Sequence, residues 1–144
     1  METIRLPYYT LCPELTNGLR SVGALLEQSQ LGIRFIELLY MRVSQINDCK
    51  FCLKLHSKKL IEAGETQERL QAIAHWRLSH LFDEREKSAL GWAESLTNVK
   101  DTHAPEQDFS LLKNHFSDVE ITELTFAIVT MNALNRLAIG MRNV

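Results

Sequence analysis

Cysteine, proline and glycine are all scarce in this 144-residue chain, which has three, three and six of them. Three cysteines cannot make the disulfide framework of a small secreted domain. No segment alternates polar and apolar residues for long, so strands are not expected. A cationic stripe is also missing: 16 basic residues face 18 acidic ones, spread along the chain for a net charge of −2. Such a surface does not neutralise phosphates, so no nucleic-acid partner is expected. The first eighteen residues lack a basic stretch followed by an apolar one, so nothing marks secretion. The most apolar window, Leu31 to Val43, carries Arg34, Glu37 and Arg42. It is too short and too charged to span a bilayer, so no membrane partner is expected. These absences predict a cytoplasmic protein with reduced thiols. No Gly-rich phosphate loop, Gly-x-Ser-x-Gly elbow or fixed-period repeat occurs, and no cofactor is expected.

The chain is 45% hydrophobic and 24% charged, the ordinary range for a globular protein, and its length suits one domain over 1–144. Apolar residues recur at three- and four-residue spacing over most of it, which predicts an all-α fold. Residues 1–18 hold Pro7, Pro13 and Gly18 and read as an extended arm, followed by a helix over roughly 19–30 that Gly32 breaks. Residues 33–47 are apolar on nearly every side, as in a helix buried by neighbours or by another subunit. A turn at Asn47-Asp48 precedes a helix from about Cys49 to Ala63, with Gly64 suited to close it in the left-handed conformation. Thr66 can cap a short helix to about Trp76. Asp83 and Ser117, each with Glu three residues on, open helices over roughly 84–97 and 118–141. A short helix is expected near 107–115, and 98–106 reads as loop.

The segment 33–64 carries the chemistry. Cys49 and Cys52 stand at a helix mouth, where unpaired backbone N–H groups and the positive end of the helix dipole favour a thiolate. His56 lies four residues after Cys52 and seven after Cys49, so a helix puts all three on one face. An imidazole beside Cys52 can take its proton and hold the thiolate, which makes Cys52 the attacking sulfur and Cys49 the resolving one. Attack on a peroxide would leave a sulfenic acid on Cys52 that condenses with Cys49 to a disulfide. Glu37 lies in an apolar run, where an unpaired carboxylate costs several kcal/mol, roughly 2–7 for a polar group buried without partners. It could relay protons to the thiols or form a salt bridge with Arg34 or another basic residue.

Other readings attach to the same residues. Two cysteines and a histidine could be three ligands of a structural zinc, but no fourth ligand stands nearby. Buried, inert cysteines are also common. His75, His80, His103 and His115 read as surface or structural groups, Trp76, Trp92 and Phe126 as core, and Cys12 as incidental.

The run from Glu37 through Cys49-Lys50-Phe51-Cys52 to His56 closely resembles the AhpD-like alkyl hydroperoxidases of the carboxymuconolactone decarboxylase superfamily. Phe82-Asp83-Glu84-Arg85-Glu86, Phe116-Ser117-Asp118 and Asn132-Ala133-Leu134-Asn135-Arg136-Leu137 extend the likeness to about residues 20–142. The resemblance implies an AhpD-like helical fold with Glu37 as proton relay, Cys52 as peroxidatic cysteine, Cys49 as resolving cysteine and His56 as base. It also implies a homo-oligomer, a trimer or hexamer. Two positions depart from the family: the best-known members carry a histidine where this chain has Phe51, and many carry glycine in place of Asp48. A negative charge at Asp48 should disfavour a thiolate nearby.

The expected function is therefore a thiol peroxidase that takes a hydroperoxide substrate and electrons from a dithiol or protein reductant. A redox-sensing module using the same cysteines without sustained turnover is the competing expectation. The decarboxylase branch of the superfamily lacks this cysteine pair.

Overall fold

The computed structural model describes residues 3–143, and among them all regular structure is helical. In chain order the helices are α1 (Tyr8–Leu11), α2 (Pro13–Leu26), α3 (Ile33–Ile46), α4 (Lys50–Glu62), α5 (Gln67–Ala72), α6 (Glu84–Thr97), α7 (Val99–Thr102), α8 (Glu106–Lys113) and α9 (Asp118–Met141), with a 3₁₀ segment at Ile73–Leu78.

The caps fall where local chemistry puts them. Asp83 accepts from the Glu86 backbone N–H at 2.7 Å while Glu86 accepts from Asp83 N–H at 3.3 Å. Ser117 and Glu120 repeat this reciprocal pairing at the start of α9, and Thr66 accepts from Arg69 N–H. At the end of α4, Gly64 takes φ +100°. Its N–H reaches Ile61 O while that of Glu65 reaches Leu60 O, the paired closure that a left-handed residue permits.

Three expected boundaries need correction. The segment expected as an arm is helical over Tyr8–Leu11 and again from Pro13, which serves as the first residue of α2, a position where its fixed φ and missing N–H do no harm. α2 then ends at Leu26, and Gly32, at φ +85°, instead opens α3. The stretch 98–106, expected as loop, contains α7.

α3 lies at the centre and packs on α4, α6 and α9. Nine of its residues are buried, with Ile36, Leu39 and Val43 fully enclosed. The neighbouring helices of the same chain thus account for the buried faces of α3, and burial of α3 gives no argument for a second subunit. Arg42 anchors α3 to α6 through Glu94, which also accepts from Trp76 Nε1 at 2.8 Å and pairs with Arg77. Burial alone would raise the Glu94 carboxyl, but hydrogen bonds from Arg77, Trp76 and Arg42 outweigh it and hold it below the usual carboxylate range.

By length and composition α9 could cross a membrane, with a mean hydropathy of 1.3 over its most apolar window. That window was not the one singled out from the sequence. In this fold α9 packs on α2, α3 and α6, burying Ile121, Leu124, Ile128 and Met131. Trp76 and Trp92 lie in the core as expected, but Phe126 does not: it is 57% exposed, on the outer side of α9 near Val129.

Candidate active site

The turn between α3 and α4 sets the site's geometry. Asn47 ends α3, Asp48 takes φ +52°, and Cys49 occupies the cap position of α4. A left-handed residue here lets the chain reverse within three positions. Aspartate tolerates that conformation better than most residues but less well than glycine. Cys49 N–H donates to Ser44 O at 3.1 Å, and Leu53 N–H donates to Cys49 O at 2.8 Å. Cys52 is thereby the third residue of α4, inside the turn whose N–H groups lack intrahelical partners.

The two sulfurs form a disulfide, with Cα atoms 5.2 Å apart. Both cysteines are buried, packed with Ala138 of α9 and with Phe51. Phe51, a ring without a titratable atom, packs against the bridge. Asp48 is exposed, so solvent weakens the repulsion it exerts on a neighbouring thiolate. Cys12 is free and exposed, outside the site.

His56 and Glu37 are both buried and meet across α4 and α3, with Nδ1 2.7 Å from Oε2. Glu37 therefore finds its partner in His56. Arg34, the other candidate, pairs with Glu65 instead. Among the described residues His56 makes no hydrogen bond to either sulfur, because Cys52 is committed to the bridge and has no proton to share. Nor does Nε2 have a hydrogen-bond partner there. Since no buried side-chain N or O atom among the described residues is left unpaired, Nε2 keeps accessible surface. The edge of Tyr40 packs on the imidazole, with ring centroids 5.2 Å apart.

The arrangement can store and release two electrons at Cys49 and Cys52, and can pass a proton along the His56–Glu37 pair. The remaining four histidines contribute nothing to it. Among the described residues no three His, Cys, Asp or Glu side chains are grouped to hold a metal.

Sequence reasoning missed the support behind the turn. Asn47 Nδ2 donates to Asn132 Oδ1 at 2.9 Å and to Asn135 Oδ1 at 3.0 Å, while Asn135 Nδ2 donates to Ser44 Oγ at 3.1 Å. Asn132 reaches on to Thr97 at 3.1 Å. Asn135 and Ser44 are fully buried. Two amides three residues apart in the otherwise apolar α9 were the available signal. Replacing Asn135 by Ala should lower unfolding stability by about 2–3 kcal/mol, since buried partners lose their bonds. Urea denaturation measures this, and a loss below about 0.5 kcal/mol, the range of an ordinary surface change, would remove the network from the account.

Comparison with known proteins accords with this geometry. The sequence profile of the carboxymuconolactone decarboxylase family matches residues 13–95. The uncharacterized protein YdfG of Bacillus subtilis is 28% identical over 139 residues, covering 96% of this chain and 95% of its own. A crystal structure from Agrobacterium tumefaciens, of a protein of unknown function proposed as the antioxidant defence protein AhpD, superposes with a TM-score of 0.94 at 34% identity, over 99% of this chain and 97% of that one. An uncharacterized peroxidase-related protein from Silicibacter sp. shares the fold at a TM-score of 0.82 and 24% identity, covering 93% and 71%.

Proposed function

This chain belongs to the carboxymuconolactone decarboxylase family, as an AhpD-like member, and on that premise we propose that it is a thiol-dependent peroxidase acting on organic hydroperoxides. The observation that carries the reading is the pairing of a disulfide at the mouth of α4 with a buried His56–Glu37 hydrogen bond one helical turn further on.

In the reduced protein the Cys52 thiolate attacks the terminal peroxide oxygen, the O–O bond breaks, and the alkoxide leaves as an alcohol with a proton delivered through His56 and Glu37. Cys52 is then a sulfenic acid. The Cys49 thiol attacks its sulfur, water departs, and the disulfide of this structure forms. One hydroperoxide is reduced by two electrons, one alcohol and one water are released, and an external dithiol or protein reductant restores both thiols.

Reduced protein titrated with one equivalent of cumene hydroperoxide should fall from three free thiols to one, that of Cys12. Retention of all three thiols would overturn the proposal.

The burial of both sulfurs beneath Phe51 favours a second reading, a redox-responsive module that oxidises once and changes a partner contact. Sustained peroxide consumption with added dithiothreitol separates the two: the enzyme cycles many times, the module once.

A further inference from the structure

Beside the His56–Glu37 pair, α2, α3, α4 and α9 line a cavity of about 240 Å³ that is partly open to solvent, several times the roughly 30 Å³ share of a water molecule. Its walls are mostly apolar, with Ile36, Leu55, Met131 and Leu134 among them. Tyr40 also lines it. That residue is 94% buried, at 6% exposure, and its phenol makes no hydrogen bond among the described residues. Because no buried polar side-chain atom there lacks both a partner and accessible surface, the hydroxyl opens into the cavity. Gly23 of α2 keeps the space in front of it free: a Cβ at Gly23 would meet only Tyr40 Oη, at 3.8 Å.

We propose that this cavity binds the organic part of the substrate, an uncharged hydroperoxide or its alcohol product, and that the Tyr40 phenol donates a hydrogen bond to the ligand's oxygen beside His56. The hydroxyl has no acceptor within the protein and faces mostly apolar walls, and an oxygen-bearing ligand supplies an acceptor there. The charged groups facing the cavity argue for neutrality: Arg20 and Lys59 are matched by Glu27 and Glu37, so no net charge awaits a ligand of one sign. Burial, then the negative charges of Glu37 and Glu27, push the phenol well above its ordinary range, so Tyr40 remains a donor at any physiological pH. Neither cysteine lines the cavity in the disulfide form, so binding there can be measured apart from turnover.

The hydroperoxide as ligand rests on the peroxidase reading, whereas the pocket and its donor do not. The test therefore uses 2-phenyl-2-propanol, the alcohol from cumene hydroperoxide, and cumene itself, which has the same bulk and no oxygen. Each is titrated into the oxidised protein while the His56 ring resonances are followed by NMR. The expected result is a saturable His56 shift with the alcohol, about tenfold weaker binding of the alcohol by Tyr40→Phe, the worth of one hydrogen bond, and unchanged binding of cumene. Gly23→Leu, which fills the cavity while improving helix propensity, should lose both ligands. Absence of a saturable shift in the wild type, equal alcohol binding by Tyr40→Phe, or full binding by Gly23→Leu would each overturn the proposal. Protein that binds the alcohol with these dependences yet spares cumene hydroperoxide would uphold the pocket and remove the peroxidase.

Discussion

Cys52→Ser should lower peroxide turnover by at least about a hundredfold, because a serine hydroxyl stays protonated at neutral pH and forms no reactive anion beside His56. Cys49→Ser should behave differently. Its Cys52 still attacks, but with no second thiol the sulfenic acid persists and can be captured by dimedone, one label per chain. The asymmetry follows from position: Cys49 is the cap residue of α4, whereas Cys52 lies inside the first turn, one turn before His56. Two variants with equal and intact turnover would overturn both assignments, and a dimedone adduct on Cys49 in Cys52→Ser, with none on Cys52 in Cys49→Ser, would exchange them.

Glu37→Gln is the second large effect. The amide can still hydrogen-bond to His56 Nδ1, 2.7 Å from the present carboxylate oxygen, so the fold should survive. What disappears is a group that can accept and return a proton. General acid–base catalysis contributes about 10²–10⁴-fold, and a loss of that order in kcat/KM is expected, together with a changed pH–rate profile. Glu37→Leu adds a structural cost, since a buried imidazole nitrogen loses its partner, worth about 1–3 kcal/mol. Full activity in Glu37→Gln with an unaltered pH profile would reduce the carboxylate to a structural tie.

Much of the fold was legible because the signals are local. Asp83, Thr66, Ser117 and Gly64 act within one turn of their own position, and all four terminate helices as expected. Pro13 misled because proline forbids a helix interior yet suits a first turn, and only the packing of α2 on α9 decides between them. Phe126 misled in the opposite sense: an aromatic in an apolar helix suggests core, but α9 has a face that nothing among the described residues covers. At the site, the closeness of Cys49 and Cys52 could be read from their spacing alone. The partner of Glu37 could not, since Arg34 and His56 both lay within reach on paper and only the crossing of α3 over α4 chooses. The Asn47–Asn135 contact joins helices far apart in sequence, and the opening of Tyr40 toward Gly23 depends on how α2 crosses α3; no periodicity encodes either.

The three-residue reversal at Asp48 also bears on how the site assembles. Glu37 and His56 are 19 positions apart, whereas Ser44 and Asn135 are 91 apart. Loop-closure entropy grows with the logarithm of length, so the nearer contact is cheaper by about 1.4 kcal/mol. A single helical hairpin therefore carries every residue of the proposed catalytic set and closes with a small entropic penalty, while the brace from the last helix must be recruited across most of the polypeptide.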